Sequence, residues 1–283
     1  MTTLPTLAVT GVTGVLGGSV ARALAADGVA ERLLARTPAK APQLPGSTVQ
    51  PFSYSDRPAS IEALTGVETL FMVSASESAD RLDQHRTFVD AAAAAGVRHI
   101  VYTSFIAAAP DAVFTLARDH GATEEHIRAS GMAWTFLRDS FYIDFMEALV
   151  GEDGVIRGPG GDGRVAIVSR ADVARTAVTV LRDPSAHAGR TYDLTGPEAL
   201  SFAEIAATIA RVRAREVSFH DESLEEAYAS RAVYGAPDWQ VDAWVSTYTA
   251  VASGGMASVS DAVESVTGVA PQSLEAYLAS MPR

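Results

Sequence analysis

The chain has 283 residues, with 22 basic and 34 acidic side chains and a net charge of −12. That balance argues against a nucleic-acid binder, whose affinity rests on clustered Lys and Arg neutralising phosphates. Cysteine is absent and the only lysine is Lys40, which excludes disulfide scaffolds, thiolate nucleophiles and cysteine-held metals, and confines lysine chemistry to one position.

The length suits one large domain or two unequal ones. Met1 to Ala21 carries no charge, yet it has no basic n-region and is glycine- and threonine-rich, so it is not read as a leader or a membrane span. Thr6–Thr10 reads as a buried strand, and the apolar spacing of Val15 to Asp27 as a helix ended by Gly28. Strands follow at Arg32–Arg36 and Val49–Phe52, a short helix at Ser60–Leu64, and an apolar strand at Thr69–Val73. A helix over Arg81–Ala95 closes at Gly96, and His99–Thr103 is another buried strand. Arg118–Ala129 reads as a helix and Ala133–Leu137 as a sixth strand. Apolar strands alternating with helices mean βαβ units, hence a parallel α/β sheet covered on both faces that binds ligand beyond the strands' carboxyl ends.

Past Arg138 the rhythm breaks. Gly151–Gly163 is glycine-rich and reads equally as an ordered binding loop or a mobile turn. Ser169-Arg-Ala-Asp172 and Ser201-Phe-Ala-Glu204 have the spacing of helix starts, so their acids read as caps, and Thr191–Thr195 reads as a last strand. The remainder is expected to be helical and loop-like, with a helix from Ser260 onward. Arg211, Arg213 and Arg215 are expected at a solvated helix end.

The first strand runs into Gly11-Val-Thr-Gly14-Val-Leu-Gly17, followed by a helix. Glycine permits the tight turn at 11, backbone approach to a pyrophosphate at 14, and close helix–strand packing at 17, with the pyrophosphate on the helix N-terminus. An NAD site wants an acid at the end of the second strand; this chain has Arg36 there, followed by Lys40. A guanidinium suits a 2′-phosphate, so NADPH is the expected cofactor.

With this loop, Arg36-Thr-Pro-x-Lys40, Tyr102-Thr-Ser104, and Leu137-Arg138 followed by Phe141-Tyr142, the chain resembles the NmrA-like atypical short-chain dehydrogenase/reductases, and within them the bacterial NADPH-dependent type 2 quinone oxidoreductases. The resemblance covers essentially the whole chain. It implies a doubly wound Rossmann domain at 1–150 and a smaller, mostly helical substrate domain at 151–283, with 171–195 packing back on the sheet and the active site in the cleft between them. Ser74, Ala75 and Ser76 are implied to line the cofactor channel. The cofactor-binding set expected on this basis is Gly11, Thr13, Gly14, Val15, Leu16, Gly17, Arg36, Lys40, Asp56, Ser74, Ala75, Ser76 and Thr103.

The wider superfamily uses a Tyr-x-x-x-Lys pair after the fifth-strand serine. With Lys40 as sole lysine, that pair is absent. The corresponding helix carries His120-Gly-Ala-Thr-Glu124, an i, i+4 pair on one face. The candidate catalytic residues are therefore His120, Ser104 and Tyr142, with a cap or surface pair as the alternative for His120. His120, Glu124, Glu125 and His126 read as an acidic helix face, and no metal is expected. Without a strong acid, which is worth typically 10²–10⁴-fold, a quinone or similarly activated carbonyl is the favoured acceptor, because its reduced anion is weakly basic. Phe105, Phe141, Tyr142 and Phe145 are expected to wall the substrate. Competing readings are a non-catalytic NADP(H) sensor of NmrA type and an isomerase with retained cofactor. A soluble, cytoplasmic monomer or homodimer with a small-molecule substrate and no nucleic-acid or membrane partner is expected.

Overall fold

The computed structural model describes residues 4–282; Met1–Thr3, at the head of the uncharged stretch, and Arg283 lie outside the described residues. In chain order the first elements are β1 (Leu7–Val9), α1 (Val15–Ala26), β2 (Arg32–Ala35), β3 (Thr48–Pro51), α2 (Arg57–Leu64) and β4 (Thr69–Met72). Then come α3 (Arg81–Ala94), β5 (His99–Phe105), α4 (Thr115–Ala129), β6 (Ala133–Asp139), β7 (Val155–Gly158), β8 (Arg164–Val165), α5 (Arg170–Arg182) and β9 (Arg190–Leu194). The last are β10 (Leu200–Ser201), α6 (Phe202–Arg213), β11 (Ser218–Asp221), α7 (Leu224–Arg231), α8 (Asp238–Ala252), α9 (Ala262–Thr267) and α10 (Leu274–Ser280).

Seven strands form one sheet in the order β3-β2-β1-β4-β5-β6-β9. β1 pairs in parallel with both β2 and β4, β2 with β3, and β4 with β5. This is the doubly wound order in which the chain starts in the middle of the sheet and builds outward on both sides. Strands β1, β2 and β5 are buried along their whole length, as a sheet covered on both faces requires. Phe88, Tyr102, Phe136 and Leu70 pack in the core beneath the sheet's helices.

Two buried polar residues sit where β2 begins. The Arg32 guanidinium donates to the carbonyls of Ala63, Thr65 and Pro5 at 2.7, 2.9 and 3.0 Å, so its charge satisfies backbone that the end of α2 would otherwise leave open. Glu31 has no such partner: both carboxyl oxygens are buried without a hydrogen bond among the described residues. Burial alone pushes its pKa up to about 8, making it a much weaker acid.

The chain divides into two compact units that interleave in sequence. The first holds the chain to Ser104, Asp119–Arg138 and Val173–Tyr192; the second holds Phe105–Arg118, Asp139–Asp172 and the chain from Asp193 onward. A single cut at residue 150 does not describe this division, because the segments after β5 and β6 already belong to the second unit. Within the second unit, the glycine-rich stretch is ordered: β7 pairs in parallel with β11, and β8 antiparallel with β10. Gly158 is required there, since a Cβ would lie 2.2 Å from the Tyr248 ring. Ser201 and Glu204 form the anticipated capping box at α6. The arginines ending α6 are paired, Arg211 with Glu275 and Arg213 bidentate with Glu147. Among the described residues no helix is long and apolar enough to cross a membrane.

Candidate cofactor and active site

The turn after β1 has the shape its glycines foretell. Gly11 lies in the left-handed region at φ +65°, and a Cβ on Gly17 would stand 2.5 Å from the carbonyl oxygens of Thr10 and Gly11. Helix α1 begins at Gly14 with no side-chain cap and no acid in its first turn, so its open N–H groups and positive dipole end are free for an anion. Val15, Leu16 and Gly17 form that first turn.

Beside it, in the first unit, opens a cavity of ≈250 Å³ whose wall includes Gly11, Thr13, Arg36, Ser74, Ala75 and Ser76. Six residues expected from separate segments thus come together. Thr103 stands behind the wall, its Oγ1 accepting the Ser74 N–H at 2.8 Å. Lys40 ends a short 3-10 turn, exposed, and Asp56 caps α2 by accepting the Ala59 N–H. Neither is among the lining residues. Phe52, Tyr54 and Gln84 also line the cavity and were missed by sequence reasoning, because a residue just past β3 or on the first turn of α3 carries no motif. Arg36 is exposed and, among the described residues, makes no hydrogen bond or ion pair. Gly14, Val15, Leu16 and Gly17 are not among the lining residues either, but they follow directly on the lining Thr13; with a cation and a glycine turn on one cavity and an uncapped helix end next to that turn, the donor set fits a phosphorylated dinucleotide.

His120 and Glu124 share a face of α4 and are both buried, at 6% and 1% exposure, but they serve different partners. Glu124 accepts from Ser104 (2.6 Å), from Nε and Nη2 of Arg138 (2.8 and 2.7 Å) and from Arg128 (3.0 Å). Nε2 of His120 faces the Arg81 guanidinium at 2.9 Å and Nδ1 faces the Tyr102 hydroxyl at 2.8 Å. Arginine can only donate, so Nε2 accepts and the single imidazole proton sits on Nδ1. Burial and the Arg81 charge lower the basicity of His120 further. The structure therefore turns His120 and Ser104 inward, into hydrogen bonds that hold α3, α4, β5 and β6 together.

Of the three catalytic candidates, Tyr142 is the one in the second unit. Its hydroxyl donates to Oδ2 of Asp139 at 2.6 Å, while Oδ1 of Asp139 is buried without a partner among the described residues. Burial pushes the Asp139 carboxyl up to about 8. The Tyr142 phenol is raised as well, by burial and by this carboxylate neighbour. Arg170, ion-paired with Asp144, lies over the rings of Tyr142 and Phe145. In the same unit Phe105, Phe114 and Phe141 meet with ring centroids 4.9–5.2 Å apart, and Phe145 is half exposed.

An NAD(P)H-binding family model matches residues 11–184, the span that carries the cofactor pocket. The chain is 34% identical to quinone oxidoreductase 2 of Escherichia coli, over 93% of each chain. It belongs to the family of NAD(P)H-binding oxidoreductases. Another member, the NAD(P)H azoreductase of Xenophilus azovorans, is 33% identical over 92% of each chain. In structure, this family member matches NADPH-dependent quinone oxidoreductase from Escherichia coli complexed with NADPH, with a TM-score of 0.88 and 32% identity over 96% of this chain and 98% of the other. The fold alone extends to the transcriptional regulator NmrA, at a TM-score of 0.75 and 18% identity.

Proposed function

We propose that this oxidoreductase uses NADPH to reduce a quinone or similarly activated conjugated carbonyl. The observation that carries the reading is the first-unit cavity, where the glycine turn that leads into the uncapped start of α1 and Arg36, unpaired among the described residues, share one wall. Bound there, NADPH would supply the hydride. Arg36 gives the 2′-phosphate a guanidinium partner, with Lys40 adding charge nearby. Accordingly, Arg36→Ala is expected to raise the Kd for NADPH by about 10- to 150-fold, the effect of losing a charged hydrogen bond of about 1.5–3 kcal/mol, while leaving NADH binding unchanged. Titration of both nucleotides against both proteins checks this.

The acceptor class follows from proton supply. With no Tyr-x-x-x-Lys pair in the chain, and with His120 and Ser104 turned into buried hydrogen bonds, Tyr142 is the proton-bearing group we assign to the acceptor oxygen. Asp139 holds its own proton near neutral pH and can pass it to the phenol once that has been used. The anion of a reduced quinone needs little help of this kind, whereas that of a simple ketone needs much. Phe141 and the half-exposed Phe145 offer flat apolar surface to a conjugated ring, while Phe105 is buried and backs Phe141 from the core.

NADPH oxidation monitored with a panel of quinones and conjugated ketones tests the reading. Turnover is expected with quinones, and Tyr142→Phe is expected to slow the less activated ketones by about 10²-fold and the quinones far less. Tight NADPH binding with no turnover on any acceptor would instead favour a cofactor sensor.

A further inference from the structure

The segment leaving β4, Val73-Ser74-Ala75, is held by side chains rather than by another strand. The Val73 N–H donates to Oγ1 of Thr10 at 2.8 Å, and its carbonyl accepts from the Tyr54 hydroxyl. The Ser74 N–H goes to Thr103. Ala75 is gripped on both polar groups: its N–H donates to Nε2 of His85 at 2.9 Å, and its carbonyl accepts from Nε of Arg81 at 2.9 Å. Backbone that leaves a sheet beside a cavity normally turns to water. Here five of the six backbone polar groups of Val73-Ser74-Ala75 are committed to Thr10, Tyr54, Thr103, His85 and Arg81.

The two grips on Ala75 are themselves fixed. Because a backbone N–H can only donate, Nε2 of His85 is an acceptor and the ring proton lies on Nδ1, which donates to Thr123 Oγ1 at 2.9 Å. Thr123 passes its own proton to the Asp119 carbonyl at 2.7 Å. Arg81 spends its remaining N–H groups on His120 and on Asp119, at 2.9 and 3.4 Å. Both residues are nearly inaccessible, at 4% exposure for Arg81 and 0% for His85. Neither touches the glycine turn or bears on the proton supply described above.

We propose that Arg81 and His85 are positioning residues for the dinucleotide, holding through Ala75 the Ser74–Ser76 wall of the cavity in the form the ligand binds. A wall ordered before binding does not draw on the ligand's binding energy to become ordered. The proposal rests on reading that cavity as the NADPH site. It departs from a purely structural role in one respect: the acceptor atom at position 85, and not the packing volume, governs affinity.

Nucleotide titration by calorimetry and amide hydrogen exchange of the nucleotide-free protein test it, on the parent, His85→Leu and His85→Gln. His85→Leu keeps bulk and removes the acceptor. It is expected to weaken NADPH and NADH alike, by about tenfold, and to speed exchange at the Ala75 amide. In His85→Gln the side-chain oxygen can accept from Ala75 while the amide donates to Thr123, so both readouts are expected to return most of the way to the parent. Affinity in His85→Leu within about twofold of the parent, or His85→Gln as weak as His85→Leu, would overturn the proposal. Should His85→Leu not fold, Arg81→Lys keeps the charge but removes the Nε–H that holds the Ala75 carbonyl and is expected to weaken both nucleotides about threefold; no change there overturns the proposal. A parent that fails to bind NADPH at all refutes the reading of the cavity itself.

Discussion

Glu124→Ala is expected to destabilise the protein by about 3–5 kcal/mol, the range for removing one partner of a buried charge cluster. Glu124 is 1% exposed and accepts four hydrogen bonds, from Ser104, Arg128 and twice from Arg138. Its loss strands two cations against the core and an orphaned hydroxyl at the end of β5. The side chains of Arg128 and Arg138 keep 40% and 23% of their exposure, so water can reclaim part of each charge and the effect should fall towards the lower end. Arg128 also lies over the rings of Trp134 and Phe136, at 5.0 and 4.8 Å, and this contact survives the substitution. Urea denaturation of parent and variant measures the difference; a change below about 1 kcal/mol would mean that the cluster barely contributes.

Glu31 should give the opposite sign, and a pH dependence. Its pKa is raised from 4.5 to about 8 in the folded protein. Between those values the folded state retains a proton that the unfolded state has lost, so this group's contribution is fully present at low pH and is lost as pH rises. The slope is about 1.4 kcal/mol per pH unit, or roughly 3 kcal/mol between pH 5 and 7.5. Glu31→Gln removes the titration and nothing else of comparable charge. The stability of the variant relative to the parent is therefore expected to grow by about 3 kcal/mol over that interval in urea melts. A difference that stays flat with pH would show that the carboxyl is hydrated in solution and ordinary in acidity.

The sheet and its cofactor turn were legible because they depend on local rules. Uninterrupted apolar runs need two covered faces, glycine at 11 permits the left-handed turn, and glycine at 17 avoids a clash with the Thr10 and Gly11 carbonyls. The second unit resisted for the converse reason. Its strands β8 and β10 span two residues each, too short for any period to register, and β7 owes its place to a partner, β11, far along the chain. At the site, spacing alone put His120 and Glu124 on one face of α4, yet, apart from Arg128 on α4 itself, their partners come from α3, β5 and β6 and could not be read from the helix. Arg81 and His85 are likewise an i, i+4 pair on a buried face of α3, a signal present in the sequence and not singled out there. Asp139 ends β6 as an ordinary strand-end acid in sequence terms; its pairing with Tyr142 depends on how the chain turns after that strand.

The interleaving of the two units also bears on how the chain can be made and cut. The polypeptide passes between them five times, and neither unit is a contiguous stretch. A ribosome releasing this chain from its N-terminus has exposed the segments after β5 and β6 before β9 exists to take the outer position beside β6. Until then β6 is an open edge with a row of unpaired amides, a template for pairing with another nascent chain. The last segment of the first unit, Val173–Tyr192, is thus also its protection against aggregation during synthesis, and truncation at the apparent domain boundary would remove it.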